Sequence, residues 1–250
     1  MRREDFLVEV CANGVESCVA AQQGGADRVE LCAGIPEGGT TPSYGEIKVA
    51  RRVLTTTRLH VIIRPRGGDF LYSDLEIERI AADIAVCREL GVDGVVFGCL
   101  KADGTFDIEK NRYLMDCAAG MSVTCHRAFD RAADPTQALE DIIGLGFDRI
   151  LTSGQQPKAI DGADLLARLN RQAAGRIILM AGSGVTEKNI RALHEATGLH
   201  EFHFSGRESQ PSAMQYVNPN LYMGRPSANE AALDYTTARR VQATIAQLLD

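Results

Sequence analysis

Two cysteines, two glutamates, an arginine and a histidine carry the chemistry of this sequence. Glu9 and Cys11 stand two residues apart in Leu7-Val8-Glu9-Val10-Cys11, and Glu30 and Cys32 repeat that spacing in Val29-Glu30-Leu31-Cys32. Residues two apart on a strand share a face. If Val8, Val10, Val29 and Leu31 cover neighbouring helices, both acids and both thiols point the other way. Adjacent strands run about 5 Å apart, so Cys11 and Cys32 can share one soft ion. Sulfur ligands select Cu(I) or zinc over hard cations. Zinc wants four ligands, and no second cysteine pair or conventionally spaced histidine cluster is present, so a two-sulfur site suits Cu(I) better. The alternative is two buried cysteines in an apolar wall.

The same parity gives Ile62 and Arg64 one face once Val61 and Ile63 cover the helices. Two carboxylates and a guanidinium in one interior are costly to desolvate unless they pair or meet a ligand. They form either a structural ion pair or, with His126 of His126-Arg127-Ala128-Phe129-Asp130 as general acid or base, a catalytic set of Glu9, Glu30, Arg64 and His126. Arg64-Pro65-Arg66-Gly67-Gly68-Asp69-Phe70 offers two cations and paired glycines to an anion, or is a tight turn with solvated arginines. Ala181-Gly182-Ser183-Gly184-Val185 and Phe204-Ser205-Gly206 supply further anion-binding candidates, Gly182, Gly184, Ser205 and Gly206 beside Arg66, or simply make tight turns.

The elements that must position these groups follow a repeated grammar. Gly25-Ala26-Asp27, Gly91-Val92-Asp93, Gly146-Phe147-Asp148 and Gly198-Leu199-His200 each end a helical pattern and open an apolar run, as a glycine helix stop before a strand does. Strands are expected at 6–11, 27–32, 59–64, 93–99, 121–126, 148–153, 176–181 and 199–204, with helices between them. A helix opens at Asp134-Pro135 with a cap and an N1 proline, and a closing helix is expected from Glu230 to Leu249. Strands alternating with helices demand a parallel sheet, and this number closes into a (β/α)8 TIM barrel. In that fold the chemistry collects at the carboxyl ends of the strands, with phosphate cradles after the seventh and eighth. One domain spanning 1–250 is expected, broken only by a polar, proline-bearing loop at about 207–228 lying across the barrel mouth.

At 250 residues and 45% hydrophobic content, the chain can bury a large core. No apolar run approaches the roughly 18 residues of a membrane span, and a net charge of -6 without a Lys/Arg block argues against a nucleic-acid partner. Seven cysteines without CxxC pairs read as thiols in a reducing compartment. A soluble cytoplasmic protein is expected, with a small molecule or a metal ion as partner.

Glu9-Val10-Cys11, Gly25-Ala26-Asp27-Arg28-Val29-Glu30-Leu31-Cys32, Glu37-Gly38-Gly39-Thr40-Thr41-Pro42-Ser43, Ile63-Arg64-Pro65-Arg66-Gly67-Gly68-Asp69-Phe70, His126-Arg127-Ala128-Phe129-Asp130 and Leu151-Thr152-Ser153-Gly154 together resemble the CutC family, from Glu9 to about Asn218. The resemblance implies a cytosolic TIM barrel, often an oligomer, assigned to copper homeostasis, with Cys11 and Cys32 at the positions proposed to hold Cu(I). Gln210-Pro211-Ser212-Ala213-Met214 departs from the family's more usual Ser-Pro-Met. The Glu, Arg and His rim also fits an enzyme acting on a small anionic or phosphorylated metabolite.

Overall fold

A computed structural model describes residues 2–216, 218, 220, 221 and 231–249. Eight parallel strands close in sequence order into a barrel: β1 (Leu7–Ala12), β2 (Arg28–Leu31), β3 (Arg58–Ile62), β4 (Gly94–Phe97), β5 (Ser122–Cys125), β6 (Arg149–Thr152), β7 (Ile178–Gly182) and β8 (Glu201–Phe204). Helices α1 (Val15–Gln23), α2 (Tyr44–Val53), α3 (Asp74–Glu89), α4 (Ile108–Cys117), α5 (Pro135–Leu145), α6 (Ala163–Ala173) and α7 (Ile190–Thr197) join consecutive strands, and α8 (Ala238–Ala246) completes the ring. This is the expected (β/α)8 TIM barrel.

Local signals start and stop these elements. Ser73 caps α3 in a reciprocal box with Glu76, Asp134 caps α5 ahead of Pro135, and Gly146 ends that helix in the left-handed conformation. The aspartate of the recurring glycine motif has a structural task. Asp27, Asp93 and Asp148 each precede an even-numbered strand and accept the N–H of Val8 at 2.8 Å, Leu59 at 2.7 Å and Val123 at 2.7 Å. Each carboxylate thereby satisfies a backbone donor near the start of the preceding strand, where the ladder has no carbonyl for it.

The apolar layer lies between barrel and helices and takes in Val8, Val10, Val29, Leu31, Val61 and Ile63. The inward face is different. The strand register stacks it in layers of four residues from alternate strands: Arg28, Gly94, Arg149 and Glu201 lowest, then Glu9, His60, Thr124 and Met180, then Glu30, Val96, Leu151 and His203, and Cys11, Ile62, His126 and Gly182 at the mouth. Long polar side chains replace the usual branched filling, and small residues make room for them. A Cβ on Gly94 would stand 2.5 Å from His60 Cε1, so that ring fits only over a glycine.

The segment expected as a loop from 207 to 228 opens instead with strand β9 (Arg207–Pro211), paired antiparallel with β10 (Ala232–Thr236). The closing helix, expected from Glu230, begins at Ala238 with Thr237 as its cap, because the residues before it are taken by that pairing. Glu230 itself and most of 217–228 lie outside the described residues.

Candidate functional site

Deepest in the barrel, Arg28 is fully buried on β2 and donates through Nε to Glu9 Oε2. Its Nη2 donates to Glu201 Oε2 at 2.8 Å and reaches Met180 Sδ at 3.3 Å. Arg149 lies 3.5 Å from the same Glu201 oxygen and donates to Ser122 and Thr124 hydroxyls. Burial alone would raise the Glu9 carboxyl, but Arg28 and the His203 bond outweigh it and hold it well below the usual carboxylate range. Glu9 is therefore an anchored anion beneath the mouth. The sequence-based expectation put it on the catalytic rim, yet it does not line the cavity there, because Arg28 and His203 occupy both its oxygens.

His203 links this lower network to the mouth. Its Nδ1 is 2.8 Å from Glu9 Oε1 and its Nε2 is 3.7 Å from Glu30 Oε2. Burial would lower it, but its bonds to Cys11 and Glu9 and the charge of Glu9 lift it to about 10, so it is a cation near neutrality. Glu30 is pushed up to about 8, chiefly by burial, and is largely a neutral acid.

Above them the two thiols meet. Cys11 Sγ and Cys32 Sγ are 3.8 Å apart, and all the described cysteines are free thiols. Arg207, at the start of β9, donates through Nη2 to Cys11 Sγ at 3.2 Å. The bond from Cys32 together with His203 and Arg207 lowers the Cys11 thiol well below its ordinary value, against burial. Cys32, which keeps its proton to make that bond, is raised. The half-buried Cys11 is the more acidic thiol of the pair because the Cys32 bond, His203 and the Arg207 guanidinium all favour its charged form.

These groups floor a cavity of about 1070 Å³ that opens at the carboxyl ends of the strands, with Arg64, His126, Ser183, Gly184 and Ser205 on its walls. Among the described residues, three non-glycine positions have left-handed backbone, and two of them, Gln155 (φ 58°) and Ser183 (φ 80°), are at this mouth. Such conformations cost energy and cluster where a site demands them.

The expected residues thus divide. Cys11, Cys32, Glu30, Arg64, His126, Gly184 and Ser205 share the cavity, whereas Arg66, Gly182 and Gly206 do not line it. Arg66 is spent on Glu76 at 2.5 Å and Asp69 at 3.0 Å. Gly182 is needed for packing, since a Cβ there would be 2.4 Å from Leu151 Cδ1, and Gly206 packs on Val241 of α8. Asp130 holds the loop after β6, accepting from Thr152 Oγ1 at 2.6 Å and Ser153 Oγ at 3.0 Å.

Sequence reasoning missed Arg28, Glu201, His203 and Arg207. Arg28 shares the parity of Glu30, and His203 stands between Phe202 and Phe204, which face outward in the apolar layer; the alternation marked both as inward. Nothing local marked Arg207.

The CutC family model matches residues 6–208. The chain belongs to the CutC family. A CutC family protein of Bacteroides thetaiotaomicron is 62% identical over 96% of this chain and 97% of its own length, and one of Chromobacterium violaceum is 52% identical over 96% of each. The crystal structure of a protein from Streptococcus agalactiae named for copper homeostasis, CutC, superposes with a TM-score of 0.77 at 34% identity, over 80% of this chain and 98% of that one. Thiamine phosphate pyrophosphorylase from Pyrococcus furiosus, at 13% identity and a TM-score of 0.61 over 99% of both chains, shares the CutC barrel fold alone.

Proposed function

We propose that this CutC chain handles copper by binding one Cu(I) between Cys11 and Cys32 at the floor of the cavity. The observation that carries the reading is the sulfur pair itself. A separation of 3.8 Å is less than twice a metal–sulfur bond of about 2.3 Å, so both sulfurs reach a common ion without moving the strands. Thiolates are soft donors that suit Cu(I). The charges favour a monovalent ion: two thiolates and Cu(I) leave one net negative charge, which Arg207 at 3.2 Å from Cys11 Sγ offsets. A divalent ion would neutralise both sulfurs and leave the Arg207 guanidinium uncompensated. Glu30 completes a group of three donors with the two sulfurs, their ligand atoms within 4.8 Å of one another. Its ordinary state here, a neutral acid, leaves the sulfurs as the principal ligands.

The copper-homeostasis name of the Streptococcus agalactiae relative supports this reading, and so does a set of seven free thiols, which suits a reducing cytoplasm. Among the described residues no helix is long and apolar enough to cross a membrane. Anaerobic Cu(I) titration against a competing chelator tests the proposal. One ion per chain is expected for the native protein and none at the same affinity for Cys11→Ser combined with Cys32→Ser; unchanged stoichiometry and affinity in that double variant would sink it.

A further inference from the structure

The walls of the cavity above the thiols hold buried donors without partners in the protein. Arg64 is 4% exposed. Its Nη1 donates to the carbonyls of Glu37 and Gly39 at 2.9 and 2.8 Å, and its Nη2 to Gly68 O at 3.0 Å. All three acceptors are neutral. None of the ion pairs among the described residues includes Arg64, and its Nε is buried without a hydrogen-bond partner. Asp69 feels its charge but stays at the surface, paired with Arg66. A buried cation lacking a counter-charge is unfavourable unless a ligand supplies one.

His126, 3% exposed, stands on the same cavity from the end of β5. Its Nδ1 accepts the Ala128 N–H at 3.3 Å, which places the ring proton on Nε2, and Nε2 has no partner. Burial pushes this histidine down to about 3, so the ring is neutral and donates through that one nitrogen. Phe70 ties the two donors together: its ring centroid is 4.8 Å from that of His126 and 5.0 Å from Arg64 Cζ. Arg207 adds a third unpartnered donor, Nε, on the same wall.

We propose that this cavity binds a small organic anion whose carboxylate or phosphate oxygens accept from Arg64 Nε–H and His126 Nε2–H, with Arg207 facing the same ligand. Size points to an organic molecule rather than a bare ion, because about 1070 Å³ matches the upper range of small-molecule sites. Ile35, Ile62, Leu151 and Phe204 on the lining offer its carbon skeleton an apolar surface. Neither donor is a copper ligand, so the anion site does not depend on the thiolate reading.

Titration calorimetry and thermal shift on reduced, metal-free protein test this, with inorganic phosphate and malonate as separate probes. Saturable binding of at least one probe is expected, and the stronger probe identifies the head group. Arg64→Gln and His126→Leu are expected to weaken it roughly tenfold or more, as loss of a hydrogen bond to a charged group does. His126→Gln keeps a donor and is expected to recover most of that loss. Arg66→Gln, outside the cavity, is expected to bind the probe like the native chain, and working on metal-free protein separates this site from the copper site. Should Arg64→Gln fail to fold because three loop carbonyls lose their donor, the two His126 variants decide the matter. No saturable binding of either probe, or equal binding by native protein and His126→Leu, overturns the proposal.

Discussion

Replacing Arg28 with methionine tests the barrel's interior most directly. The side chain is fully buried and serves two carboxylates, Glu9 and Glu201. Methionine keeps an unbranched apolar stem but loses the Nη2 contact to Met180 Sδ and leaves both acids without their guanidinium. Removing one partner of a buried ion pair costs about 3–5 kcal/mol, and here two charged hydrogen bonds go at about 1.5–3 kcal/mol each. Relief comes from groups that remain, since His203 still meets Glu9 at 2.8 Å and Arg149 still lies 3.5 Å from Glu201. A net loss of about 4 kcal/mol at pH 7 follows, or a fall in Tm of about 8–16 °C for a chain of this size.

The pH dependence has a definite sign. In the native protein the Glu9 carboxyl is held low, so its contribution is present above its ordinary value of 4.5 and is lost only as pH falls through the depressed folded value. Without Arg28 burial raises that value, the acid takes up a proton on mild acidification, and the deficit shrinks between pH 7 and pH 5. Urea denaturation followed by far-UV circular dichroism at both pH values measures it, and adding Glu9→Gln should recover part of the loss. A deficit below about 1 kcal/mol, or one that grows on acidification, would refute the view that these charges are mutually dependent.

Two further expectations concern single groups. His60, held at about 3 against an ordinary 6.5, chiefly by burial, contributes stability that is present above pH 6.5 and lost as pH falls toward 3; His60→Gln should flatten the acid limb of the stability profile by up to about 1.4 kcal/mol per pH unit, and an unchanged limb in calorimetry would count against it. Arg207→Gln should slow alkylation of Cys11 by iodoacetamide near pH 7 several-fold, as read by peptide mass spectrometry, because the thiolate loses its guanidinium; equal rates would remove Arg207 from the account.

Much of this architecture was legible because its signals are local. Glycine stops and Asp27, Asp93 and Asp148 mark strand starts whatever lies elsewhere in the chain. The alternation of Val8 and Val10 with Glu9 and Cys11 is likewise complete within five residues, and it correctly set both thiols facing the same interior. Depth was not legible. Whether Glu9 reaches the mouth depends on Arg28 and on His203, 194 positions away, and only closure of the barrel makes β8 a neighbour of β1. Arg66 misled because a cation beside paired glycines does not reveal which carboxylate the turn will hand it, and here the turn aims it at Asp69 and Glu76 instead of the cavity. Arg207–Pro211 read as loop because its polar, proline-ended sequence forms a strand only when Ala232–Thr236 returns to pair with it, a contact with no local mark.

The layered plug of guanidinium, carboxylate and imidazole groups constrains how such a barrel can diverge. An apolar residue at Arg28 strands two acids, a larger residue at Gly94 evicts the His60 ring, and a neutral residue at Glu9 leaves the His203 cation short of its closest acceptor. Each viable route through sequence space must therefore change several strands almost at once, and single-step drift is steered away from the plug toward the outer helices and the β9–β10 arm.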